Sequence, residues 1–384
     1  MSVSKLLTYA TLMQPHGKHI HLLTLPACQS AADMKLLLIF ACAPLFFLCL
    51  SAQIAAQENT EQQSPWLLAP TFSSDPKLGN TLGVLGAYLY DFDELSPSST
   101  FGVTGSYSDS DSIVYGAFAK MYFDEDQQRI FFGLGGANIN NEYNDFLGSG
   151  WPLQSSDNLR GVFLRYTHSW AENWYAGALA TSSNYSITGD SASAEGILNI
   201  IGLTGFDSNG IGFIVERDTR DNQNSPQQGS LINIQNIAYR KGLGGDSTFD
   251  VYNLKYLAFA QLFRNHVTAL HFDGRWTHNA PKGGYSSIQL RGYTRGEYLA
   301  PNSTSFEVEQ RIPVKGKIGA TVFAGVSTLY DKISDMEDGS NWFPSAGIGV
   351  NYMLKTEQKM IIRSDIAFAK AGRIAFYLQF GNAF

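Results

Sequence analysis

The residues from position 373 to position 384 alternate between apolar side chains and polar or small ones. A period of two is typical of a β-strand, because successive side chains point to opposite faces of a sheet. The apolar face carries Ile374, Phe376, Leu378, Phe380 and Phe384. This segment therefore predicts a strand that separates an apolar environment from a hydrophilic one, with Phe384 on the apolar side.

The same alternation recurs along the chain in short segments bounded by turn residues. The predicted strands are residues 66–73, 81–90, 100–108, 112–123, 129–140, 159–169, 173–188, 210–217, 230–239, 248–263, 266–279, 305–314, 317–330, 343–353, 359–368 and 373–384. A soluble β-sandwich would alternate too, but sandwiches usually stop at fewer strands. An even number of segments favours an all-β fold, a closed antiparallel transmembrane β-barrel of sixteen strands. Between residues 189 and 209 the pattern is ambiguous, and residues 197–203 extend the eighth strand or belong to an external loop.

The start of the chain differs from the rest. Residues 1–33 show no trusted helix or strand pattern and are a doubtful extension, with Met34 the expected start. Residues 34–56 combine Lys35, an uncharged apolar run and small residues up to Ala56, as a secretory signal peptide does. The apolar run is shorter than the ~20 residues of a membrane-spanning helix. The barrel domain is then expected over residues 57–384.

Composition narrows the class of partner. Three of the 27 basic and one of the 34 acidic side chains lie before residue 57, so the expected barrel has a net charge of −9. Nucleic acid is not predicted as a partner, since phosphate binding needs a basic surface. The three cysteines, at positions 28, 42 and 49, all precede the expected cleavage site. The barrel is therefore expected to contain neither a disulfide nor a reactive thiol.

A polar segment rich in Gly, Ser and Tyr, residues 281–301, interrupts the strands and contains Leu290, Arg291, Gly292 and Tyr293. It is too polar to face lipid and long for a hairpin connection. The strand that follows alternates so that Glu307, Glu309 and Arg311 share one face; near the end of the chain, Arg363 and Asp365 do the same. In a barrel these charged faces point into the lumen, because an acid against lipid is costly.

A second motif follows the eighth predicted strand. Asp218, Arg220 and Asp221 come first, and then Asn222, Pro226 and Gly229. Asp and Asn cap their own backbone while Pro and Gly set the dihedral angles, so a tight structural turn is predicted.

These motifs, in this order and spacing, resemble the bacterial surface antigen superfamily of outer-membrane barrels, the BamA/TamA-like insertases and their two-partner-secretion relatives. The resemblance implies that the loop folds into the lumen and that Arg291 pairs with Glu309 and braces it. It also implies a cell outer-membrane location, contact with membrane lipid and lipopolysaccharide, and an assembly signal at Phe380 and Phe384 that the barrel-assembly machinery reads.

Two departures from the family stand out. The family's F-x-D-x-G pattern reads Phe323-Ala324-Gly325-Val326-Ser327 here, so the expected aspartate is absent. We expect a weaker hold on Arg291, which Gly325→Asp would strengthen if there is room beside Phe323. No segment corresponds to the family's periplasmic POTRA domains, so a periplasmic module acting in trans is the expected partner.

The expected barrel contains four histidines, at positions 168, 266, 271 and 278. His271 and Asp273 share a strand face, but lone lumen histidines are usually part of a polar wall. No zinc-protease, nucleophile-elbow, phosphate-loop or C-x-x-C spacing occurs. We predict no enzyme, cofactor or metal site. The expected function is aid to outer-membrane assembly or to protein or lipid transport; the alternative is a passive pore or structural barrel without insertase activity.

Overall fold

The structure is a computed structural model that describes residues 64–75, 79–143, 146–148, 152–203, 205–263 and 265–384. The predicted extension (1–33), signal peptide (34–56) and residues 57–63 lie outside the described residues. Those predictions therefore stay predictions.

The described chain forms strands almost throughout. In chain order they are β1 Trp66–Asp75, β2 Gly79–Tyr90, β3 Ser99–Ser108, β4 Ile113–Phe123, β5 Gln128–Tyr143, β6 Leu153–Ala171, β7 Trp174–Gly189, β8 Phe206–Asp218, β9 Gly229–Tyr239, β10 Phe249–Phe263, β11 His266–His278, β12 Ser286–Ser287, β13 Leu299–Ala300, β14 Asn302–Lys315, β15 Ile318–Tyr330, β16 Trp342–Lys355, β17 Met360–Ala369 and β18 Arg373–Phe380. Strands β12 and β13 pair only with each other, and the other sixteen close into one antiparallel barrel. The predicted sixteen-stranded barrel is confirmed.

The ambiguous stretch after β7 contains a helix, Ala192–Ile201, within the connection to β8. Of the two alternatives, the strand extension is wrong, and the stretch belongs to a loop. Ser191 starts the helix by accepting a hydrogen bond from the Ala194 N–H, and Gly202 ends it in the left-handed conformation. Leu198 packs beside Phe146 of the β5–β6 loop. A short apolar run fits a helix or a strand equally well, and only its caps and packing decide.

The two faces of the barrel wall differ as the alternation predicts. The exterior is apolar, and its strand residues exposed by half or more include Leu68, Leu82, Val103, Phe213, Ile234, Val322 and Ile348. Soluble monomers rarely expose so continuous an apolar surface. The buried interior residues include Glu307, Glu309, Arg311, Arg363 and Asp365.

The barrel has two distinct ends. The near end is defined as the one at which β1 begins and β18 finishes, and the opposite one is the far end. Large aromatic side chains are exposed close to the near end, including Trp66 (67%), Trp170 (64%) and Phe263 (66%). Such residues commonly mark the level of lipid headgroups in membrane proteins.

One contact between neighbouring strands, the seam between β1 and β18, is much shorter than the rest. Only Phe72, Ser73 and Ser74 pair with β18, opposite Leu378, Tyr377 and Phe376. Every other pair of neighbouring barrel strands is joined by at least eight residue pairs. The barrel is closed, but its closure is weak along this line.

The sequence explains where the seam stops. The Leu89 N–H donates to the Pro65 C=O at 2.9 Å, so odd-numbered residues of β1 direct their backbone polar groups towards β2. Even-numbered residues then direct theirs towards β18. The next such residue after Phe72 is Pro70, which has no N–H to offer to Phe380. Pairing ends there.

The chain after β18 does not continue the strand as predicted. Gly381 has a φ of +86°, a left-handed conformation that favours glycine, and its N–H donates to the Ile361 C=O at 2.8 Å. Residues 381–384 turn inward, and Phe384 packs against the interior wall rather than on the exterior. Phe380 is still part of β18, opposite Ile362, and it packs against the cluster that contains Leu67, Leu89 and Met360. The expected exterior position of Phe384 is therefore wrong.

Candidate functional site

The long connection between β11 and β14 enters the barrel. Its hydrogen bonds to the wall include Gly292 N–H to the Tyr377 hydroxyl (3.0 Å), Tyr293 hydroxyl to the Pro344 C=O (2.7 Å) and Ser345 hydroxyl to the Arg291 C=O (2.5 Å). Gly292 has a φ of +93°, and a side chain there would lie 3.0 Å from the Ala369 Cβ. The loop thus needs glycine at this position.

Apolar packing supports the same loop. Ile288, Leu290 and Tyr293 are buried, and they form one cluster with Leu329 of β15 and Phe343 of β16. The Tyr293 and Phe343 rings meet edge to face, with centroids 5.7 Å apart. A polar segment therefore has one apolar face that fits the interior wall.

Arg291 stands at the centre of a buried charge cluster. Its guanidinium donates to Glu309 at 2.9 Å and to Asp365 at 3.0 Å, and also to Glu307. The Arg291 Cζ lies 3.3 Å from the centroid of the Phe323 ring. The structure thus brings Arg291 and Glu309 together and adds two acids to them.

Two further arginines complete the cluster, which we call the cage: Arg291, Arg311, Arg363, Glu307, Glu309 and Asp365. The Arg363 guanidinium donates to Glu309 at 2.9 Å and to Asp365 at 3.0 Å, and Arg311 donates to Glu309 at 2.8 Å. Glu309 and Asp365 are fully buried. Three positive and three negative side chains balance, which buried charges require.

The absent aspartate at position 325 has a geometric explanation. Gly325 lies opposite Glu307 in the β14–β15 register, and a Cβ on Gly325 would lie 2.7 Å from the Phe306 C=O oxygen. The structure leaves no space for an aspartate there, so the expected gain from Gly325→Asp is wrong. Glu307 and Asp365 already supply the acids.

The turn after β8 is organised by its own carboxylates. Arg220 donates to Asp218 at 2.8 Å, and Asp221 accepts from the Gln227 and Gln228 N–H groups at 2.8 and 3.1 Å. Burial alone would raise the pKa of Asp221, but these backbone donors hold that pKa below its usual range. The carboxylates cap the backbone as the sequence predicts, but the connection spans residues 219–228 and is longer than the tight turn that was expected.

The structure also reveals a cluster that the sequence reasoning missed. Arg129 of β5 lies 2.7 Å from Asp126, 2.9 Å from Glu216 and 3.0 Å from Asp218, with its Cζ 3.7 Å from the Tyr175 ring centroid. Glu216 and Asp218 share a strand face, and these two acids were the feature of the sequence that could have indicated a buried charge cluster. Their partner is 87 and 89 residues away, and nothing in the local sequence singles it out.

His271 does not form a catalytic pair with Asp273. Their nearest side-chain N and O atoms are 4.0 Å apart, and the imidazole stacks instead on the Phe384 ring, with centroids 4.8 Å apart. In the part of the chain that the structure describes, no group of three or more His, Cys, Asp or Glu side chains could hold a metal ion.

Similar architectures occur among solved structures. BamA from Haemophilus ducreyi lacking POTRA domains 1–3 matches 84% of this chain with a TM-score of 0.55 and 13% identity. CdiB from Escherichia coli matches 84% with a TM-score of 0.59 and 9% identity. CdiB from Acinetobacter baumannii matches 82% with a TM-score of 0.55 and 11% identity. The barrel thus resembles those of BamA and CdiB.

The likeness concerns the fold. This chain spans 71% of the BamA chain and 63% and 59% of the two CdiB chains. No family model and no curated protein matches the sequence.

Within the described ranges, no helix is both long and apolar enough to cross a membrane.

Proposed function

We propose that this chain is an integral outer-membrane barrel related to the insertases and translocases, and that it aids outer-membrane assembly or the transport of protein or lipid. The seam between β1 and β18 is the observation that carries the proposal. It is joined by three residue pairs, so it is the line along which the wall parts most easily.

An opened seam would offer a substrate unpaired backbone. Leu68, an even-numbered residue, directs its N–H and C=O groups towards β18 but has no pairing partner there. Unpaired strand edges bind other strands readily, and in lipid they are costly until they do. A nascent strand could therefore pair with β1 and enter the membrane from that edge.

The cage would keep the rest of the wall in shape while the seam opens. It joins the inward loop to β14 and β17 through Arg291, Glu309 and Asp365. We propose that Leu290, Gly292 and Tyr293 position Arg291 for this role, and that Arg291 paired with Glu309 acts as the loop lock.

The exterior surface supports the location and partners that we propose. Its apolar belt suits outer-membrane lipid and lipopolysaccharide, and the barrel-assembly machinery would insert the chain. We propose that substrates arrive through a periplasmic module in trans, and that Phe380 and Phe384 act as the assembly signal during insertion. A passive pore is less favoured, because the interior is occupied by the loop and by residues 381–384.

A cross-link across the seam tests the proposal. Residues 57–384 contain no cysteine. Ser74→Cys with Phe376→Cys places two thiols on a directly paired position of the seam, within reach of a disulfide. In lipid vesicles, the oxidised variant should lose the wild-type acceleration of folding of a urea-unfolded outer-membrane barrel, followed by gel shift. Reduction should restore it.

A matched control places the same kind of cysteine pair at another position in the wall. Ser106→Cys with Val114→Cys joins β3 to β4, neighbours paired over eight positions. Its oxidation should not alter the folding rate. The proposal fails if wild-type protein does not accelerate folding or if the oxidised seam variant remains as active as its reduced form.

A further inference from the structure

The turn after β8, residues 219–228, extends across the near end of the barrel. The Asn224 side chain donates to the Gln358 C=O at 2.9 Å, in the turn between β16 and β17. Around the barrel, β8 and β17 lie seven strands apart in a ring of sixteen, almost diametrically opposite. A contact between them must span the bore.

Additional contacts hold the turn in that position. Asp221 lies 3.5 Å from the Lys359 Nζ, and the Arg311 guanidinium donates to the Pro226 C=O at 3.4 Å. The Tyr122 hydroxyl of β4 donates to the Gln223 side chain. The turn is thus attached to the wall on several sides.

Residues 381–384 cross the same space from another direction. The Asn382 side chain donates to the Asn224 C=O at 2.8 Å, which joins this segment to the turn. Its Phe384 reaches β11, five strands from β18 in the ring. Residues 219–228 and residues 381–384 thus cross each other over the near end of the barrel.

Phe384 occupies a defined site on the interior wall, which we call the aromatic seat: Leu231, Leu257, Phe259, Val267, Ala269, His271 and Arg311. The His271 ring stacks on the Phe384 ring at 4.8 Å, and the Arg311 guanidinium Cζ lies 5.8 Å from that ring's centroid. The seat therefore combines an apolar floor, a stacking ring and a cation, which together suit an aromatic side chain.

We propose that the aromatic seat is a docking site for Phe384, and that residues 381–384 are a releasable plug that closes the near end of the lumen. The plug is the weaker of the two inward segments. Its side-chain contacts are the Asn382 hydrogen bond and the packing of the Phe384 ring in the seat, and Arg311 donates to the Phe384 C=O at 3.4 Å. The loop at Arg291 is held in addition by the buried ion pairs of the cage. Segments with few buried contacts open at low free-energy cost. The inference concerns passage along the lumen and holds whether or not the seam inserts substrates.

Conductance across a planar lipid bilayer tests the proposal. Wild-type protein should remain mostly closed. Phe384→Ala should raise the open probability about tenfold, since the seat loses an aromatic ring. Deletion of residues 381–384 should open the lumen further and admit small neutral sugars into vesicles. The gel shift on heating shows that each variant is folded.

A matched control and a reversible variant separate release of the plug from damage to the barrel. Phe368→Ala removes a phenylalanine of β17 that is half exposed on the exterior, and it should leave the current unchanged. Asn224→Cys with Asn382→Cys, joined by a short cleavable thiol cross-linker, should hold the plug closed even when Phe384→Ala is added. Cutting the linker should open it.

Each outcome either supports or overturns the proposal that residues 381–384 are a releasable plug. Openings that follow loss of Phe384 and vanish with the cross-linker support the plug. An unchanged current after the deletion overturns it, as do openings that persist in the cross-linked protein. If the deletion variant does not fold, cleavage of the linker in the full-length Phe384→Ala variant gives the same decision.

Discussion

Replacing Arg291 with alanine would remove one of three positive charges from the cage and leave Glu307, Glu309 and Asp365 with two arginine partners. The sequence alone predicted that Arg291 is held weakly, because the family's aspartate is absent at position 325. The structure leads to a larger expected cost, since the Arg291 guanidinium reaches three carboxylates and its side chain is only 10% exposed.

The expected loss of folding free energy follows from the burial of the carboxylates that Arg291 contacts. Removing one side of a buried ion pair costs about 3–5 kcal/mol, because an uncompensated charge remains. Glu309 and Asp365 keep Arg363, so we expect the lower limit, about 3 kcal/mol. With about 2–4 °C of melting temperature per kcal/mol for a large domain, Arg291→Ala should melt roughly 6–12 °C lower than wild type.

A compensating substitution tests whether charge balance is the cause. Adding Glu307→Gln to Arg291→Ala restores equal numbers of positive and negative charges, and should recover a substantial part of the lost melting temperature. Thermal unfolding in detergent micelles, followed by gel shift, measures both variants. A melting temperature of Arg291→Ala within error of wild type would refute the reasoning, as would a double variant less stable than the single one.

Four other changes have definite expected outcomes. Arg129→Ala should lower stability by about 3 kcal/mol in the same melting assay, because it leaves two buried carboxylates. Gly325→Asp should cost about 1–3 kcal/mol from overpacking instead of tightening the loop. Pro70→Ala supplies an N–H to the seam, and should slow folding of a client barrel in vesicles. Asp221 has a lowered pKa when folded, so its stabilisation is present above its unfolded pKa of about 4. That stabilisation is lost as pH falls through the folded value, and protease should then cut the turn faster.

Much of the wall could be predicted because alternation is a local property. A period of two identifies strands and assigns Glu307 and Glu309 to the hydrophilic face without knowledge of any neighbour. The cage itself could not be predicted in full. Asp365 is 74 residues from Arg291, and the two meet only because barrel curvature brings β17 across to the loop.

The inward turn after β18 shows a different limit. Alternation predicts which side of a strand a residue occupies, but only while the strand continues. One left-handed residue, Gly381, ends that rule. An aromatic side chain such as Phe384 suits a lipid surface and an apolar site inside the barrel equally well, so composition could not separate them.

The cage has a mechanical consequence for a wall that opens at one seam. Arg291, Glu309 and Asp365 connect β14 to β17 through the bore, and the strands between them pair at ten or more positions. Strands β14–β17 should therefore move as a rigid body. Bending then falls on the other side of the seam, in β2 and β3, which contain Gly83 and Gly102. Glycine in the interior of a strand weakens that strand. When the seam opens, strands β14–β17 would move together as one rigid unit, and the glycine-containing strands β2 and β3 would bend.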